Sequence, residues 1–441
     1  MSSFFSNSIY SIIQKVLSVI LSFLTLMLIA RALGPEGQGK YSLLTSLSRT
    51  FLYFLSFGLN VGLVYSFGKD KSERQNISKT YFILILSLAG IAFVSSQLFM
   101  YTFQSSVFKN INQGSLLVAS ISVGVWFFNS YSSSILSGLE KFKDIAIANF
   151  LQSLMLTCGI IVLWATDSLF LSSGIGIFLT SLIFLLFYNL YVLYKSDFRV
   201  NFFKSQFKKS ILVNNLNYSL KSYLGSITEF LIYRVDIYFI AYFLSKLELG
   251  VYVIAVNLVE RIWIFSESLE RILFSKLVNM ESEQEKKNKI SILVIKTNFM
   301  ISLGCGFFLA VVSDLFIRVF FGDEYSGSVF YVYVLLPGVI LQGTSRIFKK
   351  ILEANSYTGT NAKAAILCMC LNIVLNLLLI PKLGAMGAAV ASTIAYTIYF
   401  VSLLIGLKAK LNIKIRSVVF LSITDLRTVW DFLKTRKLDK N

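Results

Sequence analysis

Histidine is absent from this sequence, and there are only four cysteines: Cys158, Cys305, Cys368 and Cys370. The first absence removes the commonest general base, and the two together remove a His/Cys zinc site. No catalytic residue and no metal site is expected. Each cysteine falls in an apolar run, so the thiols read as small buried fillers. Proline is nearly absent too, with three residues in 441, so long helices can run without interruption. Charge is scarce at 15% of residues and lopsided, 41 basic against 23 acidic, for a net charge of +18. Such a chain does not have the polar surface of a soluble enzyme.

What is present is hydrocarbon. Hydrophobic residues make up 56% of the chain and the mean hydropathy is +0.71. About 20 apolar residues cross the roughly 30 Å core of a bilayer as a helix. Twelve such runs can be drawn: 9–30, 41–67, 80–103, 115–137, 145–165, 169–194, 214–243, 250–277, 290–320, 328–350, 362–380 and 385–407. The expected fold is an all-α polytopic membrane protein of twelve transmembrane helices. The first run is too long for a signal-peptide core and lacks a basic leader, so it reads as a retained helix. Connector and tail Lys and Arg divide unequally, 27 on one side against six on the other. The positive-inside rule then places both termini in the cytoplasm. The excess positive charge faces anionic lipid headgroups, at about 1 kcal/mol per residue near the surface, and nucleic acid is not the expected partner.

Eight cations interrupt these runs: Lys15, Arg49, Lys221, Arg234, Arg261, Arg271, Lys296 and Arg346. At about 2.5–3.5 kcal/mol each on a lipid-facing helix, eight would cost roughly 20 kcal/mol or more. A water-filled cavity is the cheaper place for them. A cavity lined by cations favours an anionic cargo.

The chain also echoes itself. Gly39 and Tyr41 match Gly250 and Tyr252 at an offset of 211, and ILSGLEKF matches ILEANSYT at an offset of 216. With the basic connector 195–213 between them, residues 1–194 (helices 1–6) and 214–407 (helices 7–12) form two pseudo-symmetric six-helix lobes, the arrangement of a parallel repeat. Residues 408–441 read as a cytoplasmic basic amphipathic tail lying on the inner leaflet.

Four segments carry a family likeness: ALGPEGQGKYSLL after the first helix, GLNVGLV closing the second, SGLEKFKDIAIANFLQ between the fourth and fifth, and PKLGAMGAAVAST between the last two. In these and in its layout the chain resembles the bacterial polysaccharide-biosynthesis flippases of the Wzx type, in the superfamily of MATE exporters and lipid II flippases. The resemblance implies a MATE-like fold around a central cationic cavity. It implies an undecaprenyl-pyrophosphate-linked oligosaccharide repeat unit as cargo, moved to the outer leaflet of the bacterial cytoplasmic membrane by alternating access, for O-antigen, capsule or exopolysaccharide. Membrane lipids and other polysaccharide assembly proteins are the partners implied.

For that cargo, Arg49, Lys221 and Arg261 are the leading candidates for contact with pyrophosphate, because a guanidinium donates bidentately and an ammonium acts as a point charge. Lys15 and Lys296 come next, though both can snorkel, and Arg346 extends a basic face on the tenth helix. Glu229, Asp236 and Glu260 are candidates for coupling to H⁺ or Na⁺, with charge balance as the alternative. No other cofactor is expected. Glu267 and Arg271, spaced i, i+4, can pair with each other. Pro337 and Gly338 mark a kink or a hinge. Two other readings compete. A multidrug or ion antiporter on the same scaffold sits poorly with a cationic lumen. A membrane glycan polymerase or acyltransferase would need larger outer loops.

Overall fold

The computed structural model describes residues 2–196, 205–280 and 284–413, apart from the side chains of 2–16, 214–218, 221 and 222. Part of the 195–213 connector and the tail from residue 414 onwards lie outside the described residues. Among those residues there are helices and no strands. The protein is an all-α, multi-pass membrane protein.

Its helices are α1 (Ser2–Leu55), α2 (Leu59–Lys69), α3 (Arg74–Thr102), α4 (Gln113–Gly138), α5 (Phe142–Ala165), α6 (Leu171–Lys195), α7 (Lys209–Phe243), α8 (Lys246–Glu260), α9 (Trp263–Val278), α10 (Gln284–Phe320), α11 (Ser328–Ala354), α12 (Thr358–Leu383) and α13 (Ala385–Leu411). Nine of the described helices are long and apolar enough to cross a membrane, or ten if the bent pair α8 and α9 counts as one span. The twelve runs read from the sequence differ from this for three reasons. The first run and most of the second are joined in α1, broken only at Gly34. What remains of the second run, α2, is 11 residues long. α7 has the length, at 35 residues, but five charged residues dilute its apolar character.

The breaks have local causes. Gly34 has φ 64°, a conformation glycine adopts without penalty. Pro35 follows, and its missing N–H costs nothing in the first turn of a new helix segment. Helix 2 breaks where Gly58 stands at φ 72°. A Cβ there would lie 2.1 Å from the Ser219 carbonyl, and one on Gly62 2.2 Å from Ser219 Oγ. The GLNVGLV segment is therefore the surface on which α7 rests.

Packing divides the chain into two compact units, Met1–Val253 with Phe320–Glu324, and Ile254–Val319 with Tyr325–Asn441. The repeat-based lobes, with their boundary at 195–213, are a different division and stand as a proposal. In the first unit, α4 packs on α3 and α6, α1 on α5, and α7 on α1 and α2. In the second, α13 packs on α11 and α12, and α9 on α11. Side-chain contacts join α12 and α13: Tyr399 Oη donates to Asn361 Oδ1 (2.8 Å), and Cys368 Sγ lies 3.3 Å from the Ala395 carbonyl. Away from these seams the helices are greasy. Phe307, Val311 and Leu315 on α10 are each about two-thirds exposed or more, one face at four-residue spacing turned to lipid.

The cysteines correct an expectation. Only Cys368 is buried; Cys305 is partly covered, and Cys158 and Cys370 are exposed. Cys370 stands two residues, about 200°, round α12 from Cys368, so one faces the core and the other faces away.

Candidate cationic sites

Arg49 lies in the last two turns of α1, and its side chain is exposed although the neighbouring Leu47 and Ser48 are fully buried. Its guanidinium stacks over Trp126 of α4, 5.4 Å from the ring centre. Arg234 of α7 is near enough to repel it. Two like charges and an aromatic face therefore meet in the first unit. An anion would relieve the repulsion, and the indole fixes one guanidinium plane while leaving its N–H groups available. α7 is held in place beside them. Tyr53 and Phe230 stack with centroids 4.7 Å apart, and Tyr238 bonds Thr50 at 2.5 Å. Because the Thr50 hydroxyl proton goes to the Ser46 carbonyl (2.9 Å), Tyr238 is the donor.

Asp236 is buried on the same helix. Tyr252 donates to its Oδ2 at 2.5 Å, and the Ile237 N–H lies 2.8 Å from Oδ1. Glu229, two turns earlier, is half-buried. Lys15 on α1 and Lys221 on α7 have side chains outside the described residues.

In the second unit, Arg261 falls in the two-residue break between α8 and α9, whose axes are bent by 42°. It is half-buried, as is Glu260 before it. Arg346 of α11 pairs with Glu267 of α9 at 3.3 Å, with side chains 15% and 30% exposed, and stacks 4.9 Å from the centre of Trp263. Trp263 donates to the Val339 carbonyl at 2.9 Å. The expected i, i+4 pair of Glu267 with Arg271 does not form, because α9 turns Arg271 outward, where it is exposed. Lys296 of α10 is 8% exposed, packed in the unit and not snorkelling to its surface.

α11 runs unbroken through Pro337. A Cβ on Gly338 would stand 2.7 Å from the Thr393 Cα of α13, and Thr393 Oγ1 donates to the Val334 carbonyl at 2.7 Å. Close approach of a neighbouring helix thus explains this glycine, and the Thr393 bond ties α13 to α11 one turn before it.

Sequence reasoning singled out Arg49 and Arg346 but missed their aromatic partners, Trp126 and Trp263. No local spacing pairs residues 77 or 83 positions apart. It also passed over one face of α4, where Trp126, Ser130, Ser133, Ser134 and Ser137 recur at helical spacing, a pattern legible in WFFNSYSSSILS.

Residues 4–266 match the family model described as "Polysaccharide biosynthesis protein". The chain belongs to that family. A Haloferax volcanii protein named as a probable low-salt glycan biosynthesis flippase is 22% identical over 397 residues, which is 89% of this chain and 81% of that one. A capsular polysaccharide biosynthesis protein of Staphylococcus aureus is 22% identical over 423 residues, covering 90% of this chain and 97% of the other. Among solved structures, a MATE family multidrug transporter in an inward-facing conformation superposes with a TM-score of 0.75 at 15% identity, over 90% of this chain and 94% of its own. The lipid II flippase in an inward closed conformation gives 0.74 at 18% identity, over 97% and 92%. These likenesses establish the MATE-type fold. The named relatives of the family are transport and biosynthesis proteins rather than catalysts.

Proposed function

We propose that this protein is a flippase that carries undecaprenyl-pyrophosphate-linked oligosaccharide repeat units from the cytoplasmic to the outer leaflet of the bacterial cytoplasmic membrane, by alternating access. Arg49 carries the reading: an exposed guanidinium in an apolar bundle, laid on Trp126 and facing the like charge of Arg234. A drug-exporting lumen for organic cations would be repelled by that pair, whereas a pyrophosphate is attracted to it. Family membership and the relatives named for glycan flipping and capsule biosynthesis support the same cargo.

In this reading the cations that bind the cargo's anionic part are drawn from Arg49, Lys221, Arg261, Lys15, Lys296 and Arg346, with Arg49, Lys221 and Arg261 the first choices for phosphate. Both termini are cytoplasmic, and other assembly proteins receive the flipped unit. Glu229, Asp236 and Glu260 couple transport to H⁺ or Na⁺. Deleting the gene should accumulate lipid-linked repeat units on the inner leaflet and remove surface glycan. Arg261→Ala should do the same while the protein still inserts, and a normal surface glycan in that variant would argue against the reading.

A further inference from the structure

A pocket of about 250 Å³ opens in the first unit beside the Arg49 platform. Its wall contains Trp126, Asn129, Ser130, Ser133, Ser134 and Ser137 and no ionisable side chain. At roughly 30 Å³ per water it holds about eight waters, which matches one sugar ring and not a chain of them.

The polar groups in this wall are largely uncommitted. Asn129 is 1% exposed, and its Nδ2 donates to the Leu182 carbonyl of α6 at 2.9 Å. That bond fixes the amide, yet its Oδ1 has no partner among the described residues. Trp126 Nε1 is in the same position. Ser130, Ser134 and Ser137 make no side-chain hydrogen bond to any described residue, although serines within helices usually bond the carbonyl a turn earlier, as Ser122 does to Val118 at 2.9 Å. A buried acceptor without a donor costs free energy unless something occupies it. Both of these atoms lie beneath the wall surface, so the wall itself offers three hydroxyls able to donate or accept.

We propose that this pocket is a subsite for one neutral, polyhydroxylated sugar ring of the cargo, the ring attached to the pyrophosphate. The inference rests on the flippase reading above. Trp126 connects the two subsites, because it carries Arg49 over its ring and also lines the pocket. A charged sugar would lose its hydration with no counter-ion in the wall. A neutral ring brings hydroxyls that both donate and accept, as these partners require.

The test uses the full chain in lipid nanodiscs and four probes: undecaprenyl pyrophosphate alone, and the same lipid bearing one glucose, galactose or N-acetylglucosamine. At least one glycosylated lipid should bind about tenfold more tightly than the bare lipid, a difference near 1.4 kcal/mol. The S130A/S134A/S137A variant should erase that difference while holding the bare lipid within about twofold of wild type. If the triple variant melts early, Ser130→Ala and Ser137→Ala, at half-covered positions, should each remove part of it. Equal binding of all four probes by wild type overturns the subsite, as does a preference that survives the serine substitutions. Failure of wild type to bind even the bare lipid overturns the flippase reading along with it.

Discussion

Gly39 and Gly250 lie backbone against backbone: a Cβ built on either would stand 3.0 Å from the other's amide nitrogen. The contact is reciprocal in its surroundings as well. The Gly39 Cβ would fall 2.0 Å from the Lys246 carbonyl, and the Gly250 Cβ 1.9 Å from the Pro35 carbonyl. Lys246 and Pro35 are themselves separated by 211 positions, the offset that relates the two glycines. Two helix starts that share the 211-residue sequence echo therefore cross at corresponding residues, and only glycine permits backbones this close.

Because the obstructing atoms are backbone, neither position can relax by turning a side chain. Gly39→Val and Gly250→Val should each destabilise the detergent-purified protein by about 2 kcal/mol or more, at the upper end of what overpacking costs. Gly68, with nothing within 4 Å of an added Cβ, is the control, and Gly68→Ala should melt within about 0.5 kcal/mol of wild type.

The pairing of Glu267 with Arg346 makes a prediction that the i, i+4 rule would reverse. Glu267→Gln should destabilise by about 1–3 kcal/mol, less than a fully buried pair because both side chains keep some exposure. Arg271→Gln should be nearly neutral in the same melting experiment. Equal losses in both variants would restore the pairing expected from the sequence.

Much of the fold was legible because hydropathy and glycine carry it. Each long apolar run became helix, and Gly34–Pro35 and Gly384 fall at the turns the sequence marked. The span count was less legible, since α7 holds five charged residues, of which Asp236 is buried and Glu229 and Arg234 half-buried, and a hydropathy window reads only the charge. In the site, Arg49 stood out because a cation inside an apolar run needs a reason. Trp126 did not, because an aromatic in a membrane helix is unremarkable until packing brings α4 to α1. Arg234 comes close to Arg49 only through the packing of α7 on α1, which no local spacing in the sequence displays. The serines of α4 carry nothing in the sequence that separates them from helix-packing serines, and only their missing hydrogen bonds distinguish them.

Asp236 and Tyr252 test ion coupling. Tyr252→Phe removes a hydrogen bond to a buried carboxyl group, which should cost about 1.5–3 kcal/mol in stability. If Asp236 exchanges an ion during transport, Asp236→Asn should also abolish the response of reconstituted flipping to an imposed pH or Na⁺ gradient, as should Glu229→Gln. A response that persists in Asp236→Asn, Glu229→Gln and Glu260→Gln combined would leave these acids a role in charge balance alone.

The most direct measurement of the central claim is flipping of an undecaprenyl-pyrophosphate-linked sugar by purified protein in proteoliposomes, with wild type, Arg49→Ala and Arg49→Lys compared at equal incorporation. Wild type should move the lipid between leaflets, and Arg49→Ala should fall to the rate of empty vesicles. Arg49→Lys should recover only part of the activity, because an ammonium keeps the charge but loses the bidentate fork held on Trp126. Wild-type flipping in Arg49→Ala, or no flipping by wild type above empty vesicles, would contradict the account.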